Sequence, residues 1–261
     1  MKEKITNILK SIEKEHNISI LFAIENGSRA WGMDSKDSDY DIRFVFYRPL
    51  KEYVSIDKTD DVLTLAFDEN FEPHKVQGSL LDMCGFDIFK YLKLLSSSNP
   101  TAIEWLNSPI VYLGDNNIEL KSYMNSNFSQ EKLFHHYFSL FKKSYKENIS
   151  DKKEITYKKY LYAMRGLLNA LYALKFDSIP PLLMRETVQQ MLPYMPKDVI
   201  KKLNEVIEIK SNGLEKETIL SIPVFDEFFN QALDATYTDF NKRRTDKKIF
   251  DKYLQKILGV K

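Results

Sequence analysis

Cysteine is nearly missing from this chain: Cys84 is the single one in 261 residues. An internal disulfide is therefore impossible, and a cysteine-rich zinc site is excluded. One free thiol fits a reducing, cytoplasmic setting. Cys84 stands in an apolar, strand-like run, which predicts a core residue and not a nucleophile. An excess of either charge is missing too, because 38 basic and 37 acidic side chains leave a net charge of +1. The overall balance thus gives no sign of a nucleic-acid or membrane partner, and only local patches could carry one. Long hydrophobic runs are also lacking. The opening MKEKITNILKSIEKEH is broken by charge every few positions and does not read as a signal peptide. No stretch approaches the ~18 apolar residues of a membrane span. What is present is the material of a core: 43% hydrophobic residues, with 17 Phe and 15 Tyr, where a disordered chain would be poor in aromatics.

Periodicity divides the chain in two. Ile5, Ile8, Leu9 and Ile12 recur at helical spacing, so the first helix is amphipathic and ends near Asn17. Ile18 to Ile24 is a short apolar run suited to a buried strand, and Asn26-Gly27-Ser28 stops it. Asp39 to Arg48 alternates: Asp39, Asp41, Arg43, Val45 and Tyr47 face one way, and Tyr40, Ile42, Phe44 and Phe46 the other. Further strands are expected over 62–67, 75–84 and 110–113. Asp87 is placed to cap a helix running to Leu95, and Asn99-Pro100 opens another to Asn107. From Gln130 the pattern is helical: 131–147, 155–174, a proline-punctuated stretch, 197–211 and 222–258. The expected division is a strand-and-helix domain over 1–115 and an all-helical domain over 116–261.

The stretch from Gly27 to Ile42, GSRAWGMDSKDSDYDI, carries the chemistry. Gly27 lets backbone approach a phosphate closely. Ser28 adds a hydroxyl and an amide, and the start of a helix favours anions. Asp39 and Asp41, two apart on a strand, project from one face about 6.8 Å apart. At an effective dielectric of ~20 they repel by roughly 2.4 kcal/mol. A cation between them turns that repulsion into binding, and carboxylate oxygens suit Mg²⁺ or Mn²⁺. A two-metal site would activate an attacking oxygen and stabilise a leaving one.

On these residues the sequence resembles the nucleotidyltransferases of the DNA polymerase β superfamily, and most closely the RlaP-like branch associated with RNA repair. Gly85-Phe86-Asp87-Ile88 with Lys90, Asn99-Pro100-Thr101 with Glu104-Trp105-Leu106, Ser108-Pro109-Ile110-Val111-Tyr112, and Lys159 to Arg165 extend the match to about residue 200. The family's tryptophan before the aspartate is Phe86 here, and its proline after the arginine is Gly166. The resemblance implies an α+β fold: a small mixed sheet forming a nucleotidyltransferase palm with flanking helices, then a helical domain. It implies Mg²⁺-dependent transfer of an NMP from an NTP to an acceptor hydroxyl, with release of pyrophosphate. RNA or tRNA is among the acceptors. The alternatives are a protein side chain (an AMPylating enzyme of a toxin–antitoxin pair) and a small antibiotic-like molecule. A binding-only module fits less well, since it could lose its metal carboxylates freely.

The superfamily adds a third carboxylate on a neighbouring strand. Asp82, flanked by Leu81 and Met83, is costly in an apolar strand unless paired or metal-bound. Asp87 is the other candidate, although capping is its simplest role. Arg29 and Arg43 are candidate phosphate contacts; Arg29 could instead cap the Gly-Ser turn, and Arg43 could pair with an aspartate. Lys158, Tyr162, Arg165 and Asn169 fall on one helical stripe. Alone it reads as a solvated face; the resemblance suggests a triphosphate grip, with Lys159 an alternative contact. Lys90 is expected in a structural pair. His135 and His136 are expected to pack or face solvent. The basic runs 142–143, 152–153, 158–159 and 242–244 suit RNA, although lysine-rich helix faces are commonly just solvated.

Overall fold

The computed structural model describes residues 1–35, 38–57, 59–115, 118–152, 154–211, 213, 217–243 and 245–260. Lys36 and Asp37 of the central motif, and Lys153 and Arg244 of the basic runs, lie outside the described residues. In chain order the elements are α1 (Lys2–Glu15), β1 (Ser19–Asn26), α2 (Gly27–Ala30), β2 (Tyr40–Tyr47), α3 (Leu50–Tyr53), β3 (Val62–Phe67), β4 (Leu81–Asp87), α4 (Ile88–Ser96), α5 (Pro100–Asn107), β5 (Val111–Gly114) and α6 (Ile118–Asn127). Then come α7 (Gln130–Asn148), β6 (Ile155–Thr156), α8 (Tyr157–Phe176), α9 (Met184–Met191), α10 (Lys197–Ser211), β7 (Thr218–Ile219), α11 (Pro223–Asp234) and α12 (Lys247–Leu258). The fold is α+β, as expected: a five-stranded mixed sheet with helices, and a helical C-terminal region.

The chain forms two compact units. The first holds Met1–Ala30, Asp39–Asn127 and Arg244–Lys261; the second holds Trp31–Ser38 and Phe128–Arg243. Eight residues of the central motif therefore belong to the helical unit, and the last helix belongs to the sheet unit.

In the sheet unit the strand order is β3-β4-β2-β1-β5. β1 runs antiparallel to β2 and β5, β3 antiparallel to β4, and β2 parallel to β4. One face is covered by Ile5, Leu9 and Ile12 of α1, packed with Ala23, Ile42, Phe44, Phe46, Leu81 and Met83. Each of these Ile, Leu, Phe and Met side chains contributes roughly 1.5–3 kcal/mol on burial. On the other face Phe86 stacks on Trp105 at 4.6 Å, and Tyr91 on Trp105 at 5.8 Å. Asp87 caps α4 by accepting from the Phe89 amide at 2.9 Å, and Asn99 caps α5 by accepting from Thr101 at 2.9 Å.

Several element boundaries differ from expectation: the strand expected from Asp39 is β2 from Tyr40, the helix expected from 155 opens as the strand β6 before α8, and two differences are larger. The strand expected over 75–84 is observed at Leu81–Asp87. Residues before it turn instead, with the Ser79 amide and hydroxyl both donating to the Val76 carbonyl. The helix expected over 222–258 is two helices, because Ala235 leaves α11 in an extended conformation and Asp246 starts α12 as a side-chain cap. The intervening Thr236, Thr238, Asp239 and Asn241 are poor helix formers. Cys84, expected in the core, is half-buried.

In the helical unit α7 packs along α8. A methyl at Gly166 would stand 3.0 Å from the Phe141 nitrogen, so the glycine permits a closer helix approach than any other residue. Phe141, Tyr160, Leu161, Met164, Leu168, Val188, Leu203, Phe225 and Phe229 form the core. A two-residue antiparallel ladder joins β6 to β7. Among the described residues no helix is long and apolar enough to cross a membrane.

Candidate active site

β1 ends at Asn26 and the chain enters α2 at Gly27 with φ +62. A left-handed residue here already favours glycine, and packing makes the demand absolute. A Cβ on Gly27 would lie 1.8 Å from Oδ2 of Asp41. Gly27 is thus the floor on which the Asp41 carboxylate rests. α2 is a single turn, so it offers local N–H groups and not a developed macrodipole. Ser28 is its second residue and is half-buried.

Register brings the next carboxylate in. β2 and β4 are parallel neighbours, and Asp41 is the partner of Asp82. Alternation then sets Asp41 and Arg43 on the same face as Asp82, Cys84 and Phe86. The Arg43 guanidinium joins the two acids: Nη2 lies 2.8 Å from Asp82 Oδ2 and 3.3 Å from Asp41 Oδ1. Nη1 donates to the carbonyls of Ile42 and Asp82, each at 3.0 Å. Both carboxylates therefore present an oxygen to one cationic nitrogen. Asp87 lies five positions further along β4, opposite Phe46. Its oxygens are taken by the α4 cap and by the Tyr53 hydroxyl at 2.7 Å, and burial pushes its carboxyl up.

Asp39 sits just before β2 and is exposed. Its carbonyl accepts from Arg29 Nε at 3.1 Å, and the Arg29 guanidinium lies 3.9 Å from the centre of the Tyr40 ring. Arg29 therefore clamps the entry to β2 from the one-turn helix. Among the described residues no group of three or more His, Cys, Asp or Glu is placed to hold a metal by itself. The fit to a hard cation rests on fewer ligands, since Mg²⁺ commonly takes one or two carboxylates and fills its remaining sites with water and substrate phosphate. Asp41 and Asp82, converging on a single cation, fit that requirement.

The sequence reading missed Glu25. It ends the apolar run of β1 and is 0% exposed. Its Oε1 accepts from the Asp41 amide at 2.7 Å, and its Oε2 accepts from the Tyr112 hydroxyl. Burial, against the pull of these hydrogen bonds, raises its carboxyl from 4.5 to about 7. A charged residue at the end of an apolar strand was the available signal; its partner Tyr112 stands 87 positions away. Cys84 shares the face of Arg43, and burial raises its thiol, so a nucleophilic role has no support. Lys90 pairs with both oxygens of Asp61 at 3.1 Å, the structural role expected for it.

In the helical unit, Thr156 caps α8 by accepting from the Lys159 amide. The polar stripe on α8 is not a solvated face. Arg165 is 7% exposed and Asn169 2%. The Arg165 guanidinium lies 3.9 Å from the centre of the Trp31 ring, and Tyr162 meets Trp31 edge-on at 5.5 Å. Lys158 Nζ stands 5.9 Å from the Tyr162 ring, and both lysines, Lys158 and Lys159, are half-buried. The Trp31 carbonyl also accepts from the Met184 amide at 3.0 Å. His135 is exposed and its ring meets Phe134 and Phe240, while His136 is half-buried.

Comparison with known proteins identifies a family. The family described as "RlaP: RNA repair pathway DNA polymerase beta family" matches residues 1–258. The chain is 31% identical over 265 residues to YcgL, an uncharacterized protein of Bacillus subtilis (strain 168), across 99% of this chain and 95% of that one. The chain belongs to the RNA repair pathway DNA polymerase β family, a family of polymerase β-like nucleotidyltransferases.

Proposed function

We propose that the protein transfers an NMP from an NTP to an acceptor hydroxyl, with Mg²⁺ or Mn²⁺ as cofactor and RNA as the acceptor class. The observation that carries this reading is the convergence of Gly27, Asp41 and Asp82 at one end of three adjacent strands. The missing Cβ leaves the turn's backbone open beside a carboxylate, as a triphosphate next to a metal requires. Asp41 and Asp82 would hold the cation, with Asp39 at the exposed entry to the strand. When bound, the metal supplies charge neutralisation of the phosphates and activation of the acceptor oxygen.

The chain's own residues do the rest. Gly27 and Ser28 offer amide and hydroxyl donors to phosphate oxygens. Asp82, the partner of Asp41 across the parallel pair, accepts the proton of the attacking hydroxyl. Arg43, forked between the two acids, keeps them from repelling and is a donor to the phosphates. Arg29 fixes Asp39 at the entry to the strand that carries Asp41. Lys158, Lys159, Tyr162 and Arg165 are the helical unit's candidates for nucleotide contact. Burial of Arg165 against Trp31 favours Lys158 and Lys159 among them.

The test is labelling. Purified protein with Mg²⁺ and each α-³²P NTP in turn is given total RNA, with protein-only and small-molecule controls. Label on RNA that is abolished by EDTA is expected. Label on a protein would move the reading to the AMPylating alternative, and label on a small molecule to the antibiotic-type alternative. No label, with tight NTP binding, would overturn transfer in favour of a binding module.

A further inference from the structure

Asp41 is held by an apparatus larger than the ligand set. Its carboxylate rests on Gly27 and its Oδ1 meets Arg43. Its backbone amide donates at 2.7 Å to a side chain, that of Glu25. Glu25 is itself fixed at every polar atom. Its amide donates to the Ile110 carbonyl at 2.9 Å, and its carbonyl accepts from the Ser108 hydroxyl at 2.6 Å. Its second carboxylate oxygen accepts from Tyr112 on β5. Strand alternation puts the Glu25 side chain on the α1 side of the sheet with Ala23, away from the face that bears the Asp41 and Asp82 carboxylates. It is fully buried there. Glu25 therefore reaches Asp41 through the backbone and not through a shared ligand.

We infer that Glu25, locked by Tyr112, is a positioning residue for Asp41, setting the strand position from which the Asp41 carboxylate acts. This deepens the proposed transfer reaction and rests on it for its kinetic consequence, but the positioning itself can be judged separately. Placement errors of about 1 Å near the reacting atoms can cost about 10²-fold in rate. A carboxylate is not required for the role: a glutamine oxygen accepts the same amide bond, and its NH₂ group donates to the Tyr112 oxygen. A metal ligand or a general base would not tolerate that exchange.

The experiment compares wild type, Glu25→Gln, Glu25→Ala and Tyr112→Phe, each checked by circular dichroism and thermal melting. Glu25→Ala is expected to lose about 10²-fold in kcat with KM for NTP nearly unchanged, whereas Glu25→Gln stays within about five-fold of wild type. Tyr112→Phe, which keeps the ring, falls between them. Hydrogen exchange at the Asp41 amide is read in the same proteins without metal or nucleotide. It is expected to be slow in wild type and in Glu25→Gln, and fast in Glu25→Ala. A folded Glu25→Ala protein with wild-type kcat and a protected Asp41 amide overturns the inference. So does a Glu25→Gln protein as inactive as Glu25→Ala, which would assign the charge itself to the chemistry. If wild type transfers nothing, the proposed reaction fails, while the exchange data still decide whether Glu25 positions Asp41.

Discussion

The sheet unit and the helical unit fix neighbouring parts of one motif by different means. Gly27 and Asp41 are set by backbone register: a left-handed glycine, a strand ladder, and an amide held by a buried carboxylate. Trp31, four residues after Gly27, is set by side-chain packing, with a guanidinium on its face and a tyrosine at its edge. Backbone register has no slack, so adding a single carbon there is a collision. Stacked side chains re-pack, so substitutions there should be felt gradually.

Gly27→Ala is the strongest way to probe this contrast. The added Cβ would fall on Asp41 Oδ2, in a conformation that disfavours L side chains. It should abolish measurable transfer and lower stability by about 2–4 kcal/mol, read by labelling and by denaturant melts. An active Gly27→Ala protein would erase the claimed difference between the units.

The next effect is pH. Glu25 keeps its proton in the folded protein up to about pH 7 and gives it up near 4.5 when unfolded. Unfolding in that window releases a proton, so stability should fall as pH rises from about 4.5 to about 7, by about 3 kcal/mol. Urea melts in EDTA across this range measure it, and Glu25→Gln should flatten the slope. Stability that rises steadily through the window would contradict a Glu25 carboxyl kept protonated by burial.

What the sequence disclosed follows the same divide. That Asp41 and Arg43 share a face was legible because a two-residue alternation states which side chains do so, whereas Asp39, expected on the same strand, falls just before it. The Asn26-Gly27-Ser28 stop marked the turn, and the Asp87 and Asn99 caps were readable because capping is local. Glu25 was not legible, since its meaning depends on Tyr112, brought in by the pairing of β1 with β5. The Arg165–Trp31 stack joins residues far apart in sequence, so the α8 stripe gave composition without an address. The start of β4 and the break between α11 and α12 were missed where turns and weak helix formers interrupt runs that otherwise hold their period.

Smaller effects belong to the helical unit. Arg165→Leu removes the cation from the Trp31 face and should cost about 1–2 kcal/mol, with transfer reduced but retained. Lys158→Ala, at a half-buried position, should change stability by less than about 0.5 kcal/mol and raise KM for NTP with kcat kept. If Lys158→Ala lowers kcat alone, its role is in the reaction step and not in nucleotide holding.

The most direct test of the central claim titrates Mg²⁺ in the labelling assay with wild type, Asp41→Asn and Asp82→Asn. Both substitutions keep side-chain size and remove a charge from the carboxylate pair that shares Arg43. Transfer is expected to saturate with Mg²⁺ in wild type and to fall by about 10³-fold or more in each variant, with the fold kept and melting temperatures held or slightly lowered, since each variant loses one charged partner of Arg43. Near-normal transfer by either folded variant would remove that carboxylate from the metal site and contradict the account.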